Sequence, residues 1–186
     1  MPLKIGLVTG EFPPQEGGVG AFTQALAKAF HQQGHEVHII TSISARPQPN
    51  TPNPAPDSPL TLWRRLEDRA REPLDIGYAL LHPRGRRWRW RENSLVADIA
   101  FRYALDVVNI QYQPAAFNMK STAVNFMPWR LRGLTTPVVT FHDLRVPYLF
   151  PKAGPLRQKA VHFMADHAAG VIATNPEDYQ RLQKRP

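Results

Sequence analysis

Short apolar runs alternate along the chain with longer segments whose apolar residues recur every three or four positions, and glycine or proline stands at most of the boundaries. Leu3-Lys4-Ile5-Gly6-Leu7-Val8-Thr9 is the first run, closed by Gly10 and then Pro13-Pro14, which predicts a strand buried on both faces. From Val19 to Gln33 the residues Val19, Phe22, Leu26, Ala29 and Phe30 form a helical stripe, and Gly34 stands where a left-handed helix end is favoured. Glu36-Val37-His38-Ile39-Ile40-Thr41-Ser42 follows at once as a second, β-branched strand. Strand, helix and strand joined this tightly imply parallel pairing with a right-handed crossover.

Leu60 to Arg71 predicts a charged helix, and Ile76 to Leu81 a third strand. The alternation then becomes regular. A helix from about Ser94 to Ala104, with Leu95, Val96, Ile99 and Tyr103 inward, precedes the strand Asp106 to Gln111. Residues 117–132 predict a helix, Pro137 to Phe141 a strand, 155–168 a helix and Gly170 to Thr174 a strand. Asn175 is placed as a helix N-cap, with Pro176 in the first turn and Glu177 and Asp178 near the positive end of the dipole. Repeated β/α alternation predicts an α/β fold, a doubly wound, mostly parallel sheet with helices on both faces.

The 186 residues, 42% of them hydrophobic, suffice for one domain with a sizeable core. No apolar run approaches the roughly 18 residues of a membrane span, and the N-terminus lacks a secretory layout, so a soluble cytoplasmic protein is expected. The absence of cysteine excludes disulfides, thiol catalysis and thiolate metal sites. Six prolines between Pro47 and Pro59 make residues 44–59 a loop. Charge is concentrated as well. Five of the eight net positive charges lie in Arg84-Gly85-Arg86-Arg87-Trp88-Arg89-Trp90-Arg91.

Ligands of open parallel sheets bind beyond the carboxyl ends of the strands, which directs attention to the residues just after each apolar run. Gly17-Gly18-Val19-Gly20 opens the first helix, where bare backbone N–H groups and the dipole suit a phosphate, or where the glycines simply make a flexible loop. It is not the dinucleotide fingerprint, whose glycines follow the strand directly. Gln111-Tyr112-Gln113 offers polar side chains at a strand end, and also reads as plain strand termination. His142-Asp143 sets an imidazole beside a carboxylate after Phe141, suited to proton handling or to orienting a hydroxyl, with a bland exposed pair as the alternative. Asn175 needs no role beyond capping. His31 and His35 have the spacing of a helical metal pair, but Gly34 ends the helix between them and no third ligand is apparent, so no metal is expected.

Taken in order, Lys4-Ile5-Gly6-Leu7-Val8-Thr9 with Pro13-Pro14, Gly17-Gly18-Val19 and Gly34-His35-Glu36-Val37 resemble the start of family-4, GT-B fold glycosyltransferases. Asp106 to Tyr112, Val139-Thr140-Phe141-His142-Asp143 and Val171-Ile172-Ala173-Thr174-Asn175 are similar to that family's later strands. The resemblance covers nearly the whole chain except about residues 44–92. It implies a Rossmann-like N-terminal half that holds the acceptor, facing a C-terminal half that holds a nucleotide-diphosphate sugar, with no other cofactor. Under it, Gly17 and Gly18 approach the donor diphosphate, His142 with its neighbour Asp143 lies at the reacting sugar, and Gln111 and Tyr112 contact the acceptor. The partners implied are a saccharide or lipid-linked acceptor and a donor-binding domain, in cis or in trans. These residues alone are expected to be inactive, as a domain truncated at its C-terminal side.

A different class of function reads Arg84, Arg86, Arg87, Trp88, Arg89, Trp90 and Arg91 as a non-catalytic module that docks on an anionic membrane surface or partner, which would place the protein peripherally at the inner face of the membrane. A solvated arginine-rich loop is the plainer alternative. No recognised nucleic-acid module accompanies these charges, and no nucleic acid is expected.

Overall fold

The computed structural model describes residues 1–45, 72–119, 121–144 and 154–183. The expected proline-rich loop from residue 46 onward and the expected helix Leu60 to Arg71 lie outside them.

Seven strands form one sheet: β1 (Lys4–Val8), β2 (Glu36–Ser42), β3 (Leu74–Asp75), β4 (Leu80–Gly85), β5 (Val107–Tyr112), β6 (Thr136–Phe141) and β7 (Gly170–Ala173). Their spatial order is β3-β4-β2-β1-β5-β6-β7. All pairs are parallel except β3 with β4. The chain winds outward from β1 to β2 and β4, then returns to the other side of β1 for β5, β6 and β7. The switch point therefore falls between β1 and β5, where Val8 pairs with both Ile40 and Ile110. The described helices are α1 (Gly18–Gln32), α2 (Trp90–Arg102), α3 (Met127–Leu131), α4 (Gly154–Asp166) and α5 (Pro176–Gln183). Among the described residues no helix is long and apolar enough to cross a membrane.

Neighbouring residues of a strand point to opposite faces, so a sheet buried on both sides needs apolar residues at consecutive positions. Leu7 and Ile39 join one core with Ala27, Phe12 and the partly buried Leu26 and Phe30 against α1. Val8, Ile40 and Ile110 join the other with Val96 and Ile99 of α2, Leu131 of α3, Met164 of α4 and Leu182 of α5. Each fully buried aliphatic side chain contributes roughly 1.5–3 kcal/mol, so the two layers together hold the strand ends in register.

Two elements depart from the expected pattern. The third strand lies later than Ile76 to Leu81, because Gly77, with φ of 86°, turns the chain between β3 and β4, and its N–H donates to Asp75 Oδ1 at 2.8 Å. β4 then runs through Pro83. That proline lies beyond the two positions, Leu80 and Leu81, that β3 covers, on an edge stretch where a missing donor is tolerated. The expected helix over 117–132 is instead a 3₁₀ turn, Ala123–Phe126, followed by the short α3. Pro128 has no N–H to extend an earlier helix and its ring opposes one, whereas the first turn of a new helix accepts it.

At the other end of the chain, Asn175 caps α5 as expected: its Oδ1 accepts the Asp178 N–H at 2.8 Å. Asp178, 1% exposed, also accepts the Leu144 N–H at 3.1 Å and so ties the end of β6 to α5.

Candidate active site

β1, β5 and β6 end side by side, and the polar residues following them converge at the switch point. Gln111 of β5 is completely buried, and its register opposite Thr140 sets it just before His142. The His142 Nε2 to Gln111 Oε1 distance is 2.8 Å, while the His142 backbone N–H donates to the Tyr112 carbonyl at 3.0 Å. Phe22 of α1 stands edge-on to the imidazole, with centroids 4.8 Å apart at 74°. Burial pushes the His142 pKa below the usual histidine value, and the Glu11 charge only partly offsets it. A neutral ring that donates Nε2–H to the Gln111 carbonyl keeps its lone pair on Nδ1. Gln111 Nε2 is buried beside it and has no hydrogen-bond partner among the described residues. Asp143, half-buried, follows directly after His142.

The N-terminus of α1 lies at the same strand ends, and a carboxylate occupies it. Glu11 Oε1 accepts the N–H of Val19 at 3.1 Å and of Gly20 at 3.3 Å. No acidic residue lies in the first turn of α1, so Glu11, reaching back from the loop, supplies the negative charge that the dipole favours. Thr9 fixes the base of that loop by donating its hydroxyl to the Glu11 carbonyl at 2.9 Å. A Cβ on Gly17 would lie 2.2 Å from Glu11 Oε1, so glycine at 17 is what permits the carboxylate to cover the helix end. A Cβ on Gly18 would meet nothing within 4 Å.

The Arg/Trp-rich segment divides into parts with different surroundings. Arg84 and Gly85 belong to β4. Arg86 and Arg87 line an open cavity of about 630 Å3 at the ends of β1, β2 and β4. Trp88 is only 2% exposed, in a left-handed conformation with φ of 48°, and its Nε1–H donates to Ser42 Oγ at 3.0 Å. Its ring stands edge-on to Phe117, 4.8 Å away. Ser42 in turn donates to the Gly10 carbonyl, so one chain of hydrogen bonds joins the ends of β4, β2 and β1. Trp88 therefore cannot serve as a surface contact, contrary to expectation. Arg86, Arg87, Arg89, Trp90 and Arg91 are exposed.

Tyr112 is the second correction. It is 4% exposed, packs on Phe141 and Phe117, and accepts a hydrogen bond from Asn125 Nδ2 at 3.1 Å. Burial raises its pKa despite that bond. It braces the core, and Gln111, fully buried, meets His142. Sequence reasoning also missed Phe22, expected inward but 43% exposed over His142, and Glu11, whose sole local signal is a carboxylate just after a strand.

A doubly wound parallel sheet whose polar residues and helix N-terminus gather at its switch point defines a Rossmann-like domain of the kind that makes one half of a GT-B enzyme. Residues 17–185 match the glycosyl transferase 4-like domain, and the chain belongs to that family. It is accordingly a glycosyl-transfer domain, with a sugar donor and an acceptor as its partners in general. No curated protein matches it.

Proposed function

We propose that this chain is the acceptor-side half of a glycosyltransferase that moves a sugar from a nucleotide-diphosphate donor to a hydroxyl of a saccharide or lipid-linked acceptor. The observation that carries this reading is the convergence of His142, Gln111 and the α1 N-terminus at the switch point of a glycosyl transferase 4-like domain. The N–H groups that now bind Glu11 would receive the donor diphosphate beside Gly17 and Gly18, where the helix dipole stabilises the charge that grows as the bond from sugar to diphosphate breaks. His142, neutral and aimed by Gln111, holds a sugar hydroxyl through Nδ1. Asp143 lies alongside. A donor-binding domain, in cis or in trans, completes the site, so these 186 residues alone transfer negligible sugar.

The test is sugar transfer from a panel of radiolabelled nucleotide-diphosphate sugars by the native polypeptide purified from its source. Transfer that drops at least tenfold in His142→Ala, with an unchanged melting curve, supports the site. Equal transfer by the variant removes His142 from it, and transfer by the 186 residues alone removes the need for a second domain.

A second reading concerns location. Arg89 and Arg91 are exposed around Trp90, itself 59% exposed, at the start of α2, a combination suited to an anionic bilayer at the inner face of the membrane. Salt-sensitive binding to phosphatidylserine vesicles that vanishes in Arg89→Gln/Arg91→Gln supports docking, and absence of binding at low salt removes it.

A further inference from the structure

The cavity beneath Arg86 and Arg87 has a chemistry that glycosyl transfer in general does not specify. It opens at Gly10 after β1, Ser42 to Ser44 after β2, Gly85 at the end of β4 and Ala116 to Met119 after β5. This is the carboxyl-end crevice where open parallel sheets bind ligands. Among the described residues, the ionic groups that line it are Arg86 and Arg87, and no Asp or Glu does. Gln15, Ser42, Ser44 and Asn118 add polar groups, and Trp88 and Phe117 an aromatic floor. Guanidinium pairs match phosphate oxygens in geometry as well as charge. Amides, hydroxyls and aromatic carbon are what a sugar ring requires, and about 630 Å3 lies within the usual range for a small-molecule site.

The loop that carries the two arginines is built rather than slack. Glu92, 6% exposed, spends both carboxylate oxygens on it: Oε1 accepts the N–H of Arg86 and of Arg87, each at 3.3 Å, and Oε2 accepts the N–H of Arg89 at 2.8 Å. Asn118 Nδ2 donates to the Arg87 carbonyl at 2.7 Å, and the left-handed Trp88 anchors the middle of the loop to Ser42. A buried carboxylate, an amide and a strained, buried tryptophan fix the backbone from which Arg86 and Arg87 project. Gln15 comes from the same loop as Glu11 and Gly17, so the cavity adjoins the α1 N-terminus.

We propose that this cavity is the subsite for an acceptor saccharide that carries a phosphate or diphosphate group, with Arg86 and Arg87 holding the anion and the Phe117 side holding the ring. The proposal rests on the glycosyltransferase reading above, in that it names the acceptor's class. Its test is direct binding, which needs neither a donor nor turnover.

The full chain is titrated calorimetrically with glucose 1-phosphate, glucose and inorganic phosphate. In parallel, sedimentation is measured with phosphatidylcholine vesicles with and without phosphatidic acid. Glucose 1-phosphate should bind at least tenfold more tightly than glucose or inorganic phosphate. That binding should weaken at least tenfold in Arg86→Gln/Arg87→Gln and remain in Arg89→Gln/Arg91→Gln. If the first pair lowers the melting temperature, Arg86→Lys/Arg87→Lys keeps the charge, removes the bidentate geometry and should still weaken binding severalfold. Equal binding of glucose and its phosphate, equal binding by both double variants, or capture by phosphatidic acid vesicles without any binding of soluble glucose 1-phosphate overturns the subsite. Native transfer that survives Arg86→Gln/Arg87→Gln unchanged sinks the subsite and leaves the transferase reading standing, whereas intact binding without transfer does the reverse.

Discussion

His142 shows how much of this site depends on single side chains placed by other elements. Burial lowers its pKa and the Glu11 carboxylate works the other way. Replacing Glu11 with Gln removes the favourable charge and leaves the burial, so the His142 ring should titrate at a lower pH than in the unaltered chain. NMR titration of the ring protons reads this directly, and an unchanged or higher midpoint would show that Glu11 does not act on His142. Glu92 is the other residue whose loss should be conspicuous. Burial alone would raise its pKa, but hydrogen bonds from the N–H groups of Arg89, Arg87 and Arg86 outweigh it and hold the carboxyl below the ordinary range. Glu92→Ala strips the partner from those three N–H groups, and a loss of about 1–3 kcal/mol is expected in urea unfolding. A loss below about 0.5 kcal/mol would mean that the loop is held without it.

At the scale of elements, what the sequence makes legible is what periodicity encodes. The run Glu36 to Ser42 could be read residue for residue because it is β-branched, uninterrupted and closed by short connections. His142 could be nominated because it stands just past an apolar run, and Gly17 because it opens a helix. The hairpin of β3 and β4 was hidden because Ile76 and Tyr78 look strand-like, while the turn depends on the left-handed conformation of Gly77. The break in the helix over 117–132 depends on Pro128, a local signal overridden in reading by the apolar residues around it. The pairings of Gln111 with His142 and of Glu11 with Val19 span 31 and 8 residues. The first follows from sheet register and the second from the path of a loop, and neither leaves a local pattern. Trp88 and Tyr112 illustrate the same limit, since an aromatic beside polar neighbours can point either way and only packing decides. At the start of α5 the local signal sufficed, and Asn175→Ala should cost about 1 kcal/mol in thermal or chemical unfolding.

Across the whole molecule, the largest acid sensitivity should arise away from the site. His38 of β2 and His82 of β4 are both fully buried, with His38 Nδ1 3.0 Å from His82 Nε2 and the rings stacked at 16°. His38 Nε2 meets Glu36 Oε1 at 2.9 Å, and Tyr103 packs against both rings. If His38 donates to Glu36, its Nδ1 accepts from His82, and a proton added to Nδ1 would oppose the His82 N–H. Burial, together with the charges of His38 and Arg84, pushes His82 down to about 3. Burial also lowers His38, Glu36 opposing and the Lys4 charge adding a little. Folded-state values below the unfolded histidine value mean that stability is complete above about pH 6.5 and declines as pH falls toward 3. The urea midpoint should therefore fall between pH 7 and pH 5, before carboxylates titrate. His82→Gln should flatten that slope, and parallel slopes would place the sensitivity elsewhere.

The carboxylate of Glu11 at the end of α1 changes what an affinity for this domain would mean. The anion site is occupied by a tethered competitor whose local concentration is set by the few residues between Glu11 and Gly17, and dilution cannot lower it. Any phosphate that reaches the Val19 and Gly20 N–H groups makes an exchange, one anion for another. Its observed dissociation constant is the intrinsic one divided by the fraction of molecules in which Glu11 has left. A weak apparent constant for the free domain would then be compatible with tight intrinsic recognition. Glu11→Ala should increase pyrophosphate affinity although it removes a side chain from the site, and an unchanged or weaker affinity would show that the two anions do not compete.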